Sequence, residues 1–513
     1  LVSRTATDGR DRVSLRHDRG TCPSVASAHT FGRRRGRDDV TTLTSPARTA
    51  RQELAGFQGR LIGPDDADYD ARRAVYNAMI DKKPKMIVKC TDVADVQLAV
   101  NFARENKMPL SIRGGGHNAG GLGICDNGLV IDLSQMRFTR VDPQMKTITV
   151  GGGTTWGEVD HASQAFGMVT PSGIISTTGV GGLTTGGGLG HLSRKFGLSI
   201  DNLLSVDIVL ADGSIVTANE SDHRDLFWAV RGGGGNFGVI TAFIFRLHKL
   251  ESLYAGPLLY ELSEAEDVLK WYRKFIKYAP DDLSGFFAFM TVPPAPPFPE
   301  HLYLKKMCGV VWNYTGPKEK AEEIFKPIRE FKEPAFDHVG FMPYPTLQSM
   351  FDGLYPKGLQ WYWKADFVNE IPDEAIQKHL DFAEKLPSMH STMHLYPING
   401  QASRVNSTDT AWNFRDATWA MVIVGVDPDP SNREKITEWA QEYFNALHPY
   451  SAGGAYVNFM MEEGEERIKA TYGKNYDRLV ELKTKYDPQN LFCINQNIKP
   501  QPKAEAEDSV FAE

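Results

Sequence analysis

The sequence predicts an α+β fold in two lobes, on three observations. With 513 residues the chain is longer than one ordinary hydrophobic core organises. Residues 80–250 alternate short apolar strands and helical stretches around two glycine-rich loops. From Ser252 the texture changes to helical stretches separated by aromatic, β-prone segments.

Folded sequence is expected to begin near Leu54. Thr91 is placed to cap a helix whose apolar positions Val93, Val96, Val100 and Ala103 recur near helical spacing. Leu110–Arg113 reads as a strand, followed by the loop RGGGHNAGG. Leu129–Leu133 is a second strand, with Leu129, Ile131 and Leu133 on one face. Thr147–Val150 is a third. Thr155 and Glu158 form a capping box for a helix that ends at Gly167. A Gly/Thr-rich loop then runs from about Ser172 to Gly190. Val206–Leu210 and Ser214–Thr217 flank Asp212-Gly213, a hairpin signal. Val239–Leu247 closes the first lobe as a strand. In the second region Leu359–Phe367 and Thr418–Val426 read as strands and the proline-rich Pro293–Pro299 as a loop. Tyr472–Ile498 is a helix with a tail. Residues 1–50, rich in Arg, Ser, Thr, Asp and Gly, read as a disordered or artefactual extension, and 501–513 as a frayed tail.

Composition removes several function classes. Net charge is -7, and the one basic cluster, Arg33 to Arg37, lies in the N-terminal extension, so neither nucleic acid nor an anionic membrane is expected as partner. No run approaches the ~18 apolar residues of a membrane span. The five cysteines, Cys22, Cys90, Cys125, Cys308 and Cys493, are odd in number and far apart, which supports neither a disulfide framework nor a metal site. A reducing, cytoplasmic setting is the expectation. Asn219, Asn313 and Asn406 sit in N-x-S/T triplets that read as chance.

The two loops, Arg113–Gly121 and Gly173–Gly190, carry the chemistry. Glycines let backbone N–H groups approach a phosphate, which points to a phosphate-bearing cofactor in general terms. Sharper nucleotide motifs fail. No GxxxxGK[ST] string follows either loop, and in the Gly179–Gly181 segment Thr184 stands where a dinucleotide fingerprint needs its third glycine. What the loops do match is a family. RGGGHNAGG at 113–121 resembles the attachment loop of the p-cresol-methylhydroxylase-type FAD-linked oxidases, in particular their berberine-bridge-enzyme-like branch. GVGGLTTGGGLGHLSRKFGLSIDN at 179–202, DLFWAVRGGGGNFGVIT at 225–241, AYVNF at 455–459 and YDPQNLFCINQNI at 486–498 support the resemblance in matching order.

That resemblance implies a two-lobed FAD-binding fold with an inserted antiparallel-sheet substrate domain. The FAD domain would span 54–250, the substrate domain 251–450, and a C-terminal segment, 451–500, would return to the FAD domain. It implies FAD as cofactor and no metal. The FAD-binding residues implied are Arg113, Gly114, Gly115, Gly116, His117, Asn118 and Gly121 in the first loop, and Thr177, Thr178, Gly179, Gly182, Leu183 and Gly186 in the second. Val239 and Ile240 would lie near the adenine end, and Asn458, Asn495 and Asn497 near the flavin. His117 would be the covalent ligand to the flavin 8α-methyl carbon. Many relatives hold the flavin a second time through a cysteine; here Ile175 fills that position, so one link is expected, and Cys125 does not occupy the matching place.

The implied chemistry is a two-electron oxidation of a hydroxylated or amine small molecule, which needs hydride transfer and removal of a proton. The family's usual base is the last tyrosine of Y-x-N-Y. Here the string is Tyr456-Val457-Asn458-Phe459, and Phe459 cannot take a proton. The glutamate that plant members use aligns with Met421. Tyr362 and Tyr456 remain as candidate catalytic residues, each also readable as an ordinary core or cleft aromatic, and His394 and Arg404 as cleft residues for which a solvated or structural role stands equally open. Thr178 stands at the position that gates oxygen in the family, and its small size leans towards an oxidase with molecular oxygen as acceptor. A dehydrogenase with another acceptor, or a flavin-fold binder without turnover, are the alternatives.

Overall fold

The computed structural model describes residues 54–502. The reading of residues 1–50 and nearly all of the predicted tail lie outside the described residues, as does Cys22. The chain builds three main sheets. The first joins Arg60–Ile62 (β1), Met86–Lys89 (β2), Leu110–Arg113 (β3) and Leu129–Asp132 (β4) in the order β1-β2-β4-β3, with β2, β4 and β3 parallel. The connection from β2 to β3, which run parallel with β4 between them, is the helix Val93–Glu105 (α1), a crossover of the kind that parallel strands require. Its cap is Asp92, one residue later than predicted: the Asp92 carboxylate accepts from the Asp95 N–H at 3.0 Å, while the Thr91 hydroxyl donates to Asp95 at 2.7 Å.

The second sheet is antiparallel. It contains Thr139–Asp142 (β5), Thr147–Gly151 (β6), Leu203–Val209 (β7), Ile215–Asn219 (β8) and Val239–Arg246 (β9), in the order β5-β6-β9-β7-β8. The Asp212-Gly213 turn joins β7 to β8 as predicted, with Gly213 at φ +85°. Trp156–Gln164 (α2) begins at the predicted capping box, where Glu158 accepts from the Thr155 N–H at 2.9 Å. The stretch read as one long loop, Ser172–Gly190, contains a short helix, Val180–Thr185 (α3).

From Leu253 the chain forms one eight-stranded antiparallel sheet. Its main strands are Leu253–Glu261 (β10), Leu283–Thr291 (β11), Lys306–Tyr314 (β12), Gln360–Val368 (β13), Thr392–Pro397 (β14) and Trp419–Asp427 (β15), ordered β10-β12-β11-β14-β15-β13, with two short strands on β10. Alternation along each strand divides the sheet's two faces. Met393, Leu395, Met421 and Ile423 pack under the helices Ala265–Tyr278 (α4), Ala321–Phe331 (α5), Asp373–Ala383 (α6) and Arg433–Leu447 (α7). Tyr396, Val422, Val424 and Trp361 face the other way, towards Leu189, Leu192, Leu198 and Tyr456 of the glycine-loop region.

Buried polar groups tie the parts together. Arg194, 1% exposed, forms no ion pair among the described residues; its guanidinium donates to the carbonyls of Ile276, Ala279, Pro280 and Leu283 at 2.8–3.2 Å. Four acceptors from one turn of the second region are thereby satisfied by one side chain of the first. Arg415 forks onto Asp201, both bonds 2.7 Å. Tyr476–Tyr486 (α8) carries Lys483, fully buried, which donates to Asp487, Asn236 O and Phe492 O and so fastens the C-terminal segment to the glycine-rich turn before β9.

Candidate functional site

The cavity at the centre of the molecule is walled by the two glycine loops, the turn before β9, the C-terminal segment and the inner face of the eight-stranded sheet. Its construction begins at Gly115 and Gly179. A Cβ on Gly115 would stand 2.4 Å from the Gly179 nitrogen, and a Cβ on Gly179 2.3 Å from the Gly115 nitrogen. The two loops therefore meet backbone to backbone, which no other residue type permits. Gly182 and Gly235 turn bare backbone to open space, with nothing within 4 Å of where a Cβ would sit. Beneath the first loop Arg113 pairs with Asp132 at 2.8 Å, and its other terminal nitrogen, Nη1, is buried without a partner. The open volume between these walls, mouth included, is about 2100 Å³. Glycine backbone open to the cavity, an unpaired guanidinium nitrogen and a long apolar enclosure fit a dinucleotide flavin, whose pyrophosphate needs donors and whose ring needs an apolar slot.

His117 stands at the lip where the two loops meet. Its ring stacks on Tyr76, centroids 3.9 Å apart, and its nitrogens lie 3.0 Å from the Thr177 hydroxyl (Nε2) and 3.5 Å from the Thr178 hydroxyl (Nδ1). Burial lowers its pKa to about 4, against a smaller raising effect of Thr177. The imidazole is therefore neutral at pH 7, with one ring nitrogen unprotonated.

The C-terminal segment closes the other side. The Tyr456 hydroxyl oxygen accepts from the N–H groups of Gly188 (2.9 Å) and Leu189 (3.2 Å) and from Asn458 Nδ2 (2.8 Å). Asn458 also donates to Leu183 O at 2.9 Å, and Asn495 to Gly235 O at 3.0 Å. A Cβ on Gly186 would lie 2.2 Å from Asn458 Oδ1, so this glycine makes room for the C-terminal turn. Ile175 lines the cavity, and no cysteine among the described residues does.

The structure gathers most of the sequence-derived candidates around one space. Arg113, Gly114, Gly115, Gly116, His117, Asn118, Thr178, Gly179, Gly182, Leu183, Ile240, Asn458, Asn495 and Tyr456 line it. Others stand back from it. Thr177 faces a neighbouring cleft, and Gly121, at φ +69°, shapes the turn after the first loop. Gly186 packs on Asn458. Val239 is fully buried in the core under the first sheet, the opposite side of β9 from Ile240, and Asn497 is not a lining residue. Tyr362 is a correction: strand alternation sends its neighbours Trp361 and Trp363 into the cavity and Tyr362 to the helix side, where its hydroxyl accepts from Gln441 Nε2 of α7 at 2.9 Å. Arg404 pairs with Asp281 at the surface. His394 does line the cavity, beside Tyr396, which the sequence reading passed over. The signal was present: in Thr392-Met393-His394-Leu395-Tyr396 the polar residues alternate with apolar ones at strand spacing.

Fold and site together define an FAD-binding oxidoreductase. The family model described as an FAD binding domain matches residues 84–219, and the one described as berberine and berberine like matches 455–499. An FAD-linked oxidoreductase of Dictyostelium discoideum is 32% identical over 429 residues, 83% of this chain and 91% of that protein. The (R)-6-hydroxynicotine oxidase of Paenarthrobacter nicotinovorans is 28% identical over 468 residues, 87% of this chain and 97% of that protein. Among solved structures, 6-hydroxy-D-nicotine oxidase from Arthrobacter nicotinovorans superposes with a TM-score of 0.79 at 25% identity, covering 87% of this chain and 99% of that one. The chain belongs to the berberine-like family of FAD-linked oxidoreductases. Among the described residues no helix is long and apolar enough to cross a membrane.

Proposed function

We propose that the protein is an FAD-dependent oxidase whose flavin is bonded to His117 alone, and that it oxidises a hydroxylated or amine small molecule with molecular oxygen as acceptor. The observation that carries this reading is His117 itself: a neutral imidazole, stacked and hydrogen-bonded at the junction of the two glycine loops. When bound, FAD supplies a two-electron oxidant that takes up hydride. Gly115, Gly179, Gly182 and Gly235 offer backbone to the cofactor, Arg113 Nη1 an unused donor, and Asn458 and Asn495 fix the C-terminal wall. Ile175 lines the same space with an alkyl chain, which cannot form a thioether, and this supports a single link. Thr178, small and beside His117, leaves room for oxygen.

Acid precipitation tests the linkage. Yellow colour is expected to stay with the wild-type pellet and to pass to the supernatant in His117→Ala; release from the wild type overturns the covalent reading. Peroxide formation under air tests the acceptor. Its absence, with anaerobic bleaching of the flavin by substrate intact, would assign the chain to the dehydrogenases instead.

A further inference from the structure

Two polar residues of β14 face the cavity with no assigned role. His394 Nδ1 lies 2.6 Å from the Tyr396 hydroxyl. Both rings pack on Phe286, at 5.0 Å each, and Tyr396 on Phe459 at 5.6 Å. Their register is held from both sides: His394 pairs with Ala288 of β11 and Val422 of β15. The surrounding wall is aromatic and aliphatic, with Trp361, Trp363, Tyr355, Val422 and Val424. Among the described lining residues Arg113 is the one fixed charge, and Asp132 already pairs it. Such a wall offers no carboxylate to hold an ammonium group and no free cation to hold an anion.

We propose that Tyr396 and His394 are the proton-accepting pair of this enzyme, and that the substrate they serve is an uncharged aromatic or alicyclic alcohol. The proposal rests on the FAD reading above and supplies the base that Phe459 and Met421 cannot. Tyr396 donates to His394 Nδ1, which leaves the tyrosine oxygen free to accept a substrate hydroxyl. The substrate O–H proton passes to Tyr396, whose own proton passes to Nδ1. The tyrosine is restored and the charge rests on the imidazole. The electron pair leaves the carbinol carbon with its hydrogen as hydride, the bound FAD being the oxidant, and the carbon–oxygen bond becomes a carbonyl. A base for this step has to be unprotonated and within hydrogen-bond reach. Burial lowers the His394 pKa to about 3 with the cavity empty, which leaves the imidazole unprotonated before the step and means that it takes the proton only as the bound FAD gains negative charge with the hydride. The other titratable groups facing Tyr396 are Tyr355 and Tyr456, and burial raises both phenols, so the pair has no charged neighbour competing for the proton.

The test uses the full-length holoenzyme and two neutral probes, 4-hydroxyacetophenone and 4-methoxyacetophenone, titrated by calorimetry. The wild type is expected to prefer the hydroxyl compound about tenfold, the worth of one good buried hydrogen bond. Tyr396→Phe is expected to bring that preference below about twofold. His394→Gln keeps an acceptor for Tyr396 but cannot carry the proton. It is expected to retain the preference while slowing anaerobic flavin bleaching by the best alcohol of a benzyl alcohol series about 100-fold. No preference in the wild type, an undiminished preference in Tyr396→Phe, or wild-type bleaching in His394→Gln overturns the pair. Loss of the yellow absorbance band from the wild type would instead sink the FAD reading, and the calorimetric comparison stands apart from it.

Discussion

Tyr456 and Tyr396 present buried hydroxyls to the same cavity, and their surroundings give them different duties. The Tyr456 oxygen is taken up by three N–H donors, two from the backbone at Gly188 and Leu189 and one from Asn458. Its lone pairs are spent on holding a loop, which makes it a brace. Tyr456→Phe strands those donors, and the expected cost is about 2–4 kcal/mol of stability, read as a lowered denaturation midpoint. A variant of unchanged stability with slower turnover alone would return Tyr456 to the list of candidate bases. At this scale the sequence was legible where a residue sits in a dense local motif, as His117 does. It was opaque for Tyr396, whose meaning depends on which side of a strand faces which lobe, and it misled at Tyr362 for the same reason.

The glycine loops make their point as elements. Gly115 and Gly179 are 64 positions apart, yet each excludes a side chain from the other. Gly179→Ala drives a Cβ into the Gly115 backbone, so the loops must part. The expected outcome is protein that folds with its sheets intact by circular dichroism but carries less than about half the wild-type content of acid-stable flavin; flavin content equal to wild type would show that the loops can part without harm. The predicted strands at Leu110–Arg113, Thr147–Val150 and Val239–Leu247 fall within a residue or so of the observed ones, because alternating apolar residues carry that signal directly. The helix Val180–Thr185 was hidden, since Gly and Thr are poor helix formers and only the packed setting of the loop makes the turn. The shift of the cap from Thr91 to Asp92 has a similar cause: two adjacent residues can both cap, and tertiary geometry chooses.

For the whole molecule, burial of neutral histidines sets a pH limit. His191 and His379, each 2% exposed, have pKa values lowered to about 3, and His248 to about 4, all chiefly by burial. The unfolded chain binds these protons near the ordinary value of about 6.5. Between about pH 6.5 and pH 3 unfolding therefore takes up protons, and stability falls as pH falls through that window. Asp160, buried with both carboxylate oxygens unpartnered, acts in the opposite sense, its pKa raised by burial, so its cost is felt as pH rises. The expected result is a urea midpoint that drops steadily on acidification below about pH 6.5 and a shallower slope for the His191→Gln, His379→Gln double variant. A midpoint indifferent to acid across that window would mean these imidazoles can be charged in place. The start of the eight-stranded sheet at Leu253 was readable from the change in texture at Ser252. The long-range ties were not: Arg194 and Lys483 are indistinguishable in sequence from surface cations until their carbonyl partners, 82 or more residues away for Arg194 and as far as 247 for Lys483, are brought to them.

The alternation along β13, β14 and β15 has a consequence for how such a protein can change. One set of residues on these strands meets the helices and keeps the molecule together; the interleaved set lines the cavity. New ligand preferences can therefore be written into positions such as Thr392, Val422, Val424 and Trp363 one at a time, while the scaffold's own vocabulary of Met393, Leu395, Met421 and Ile423 stays unread by any ligand. The inner face of the sheet is a page open to revision, bound along a spine that is not.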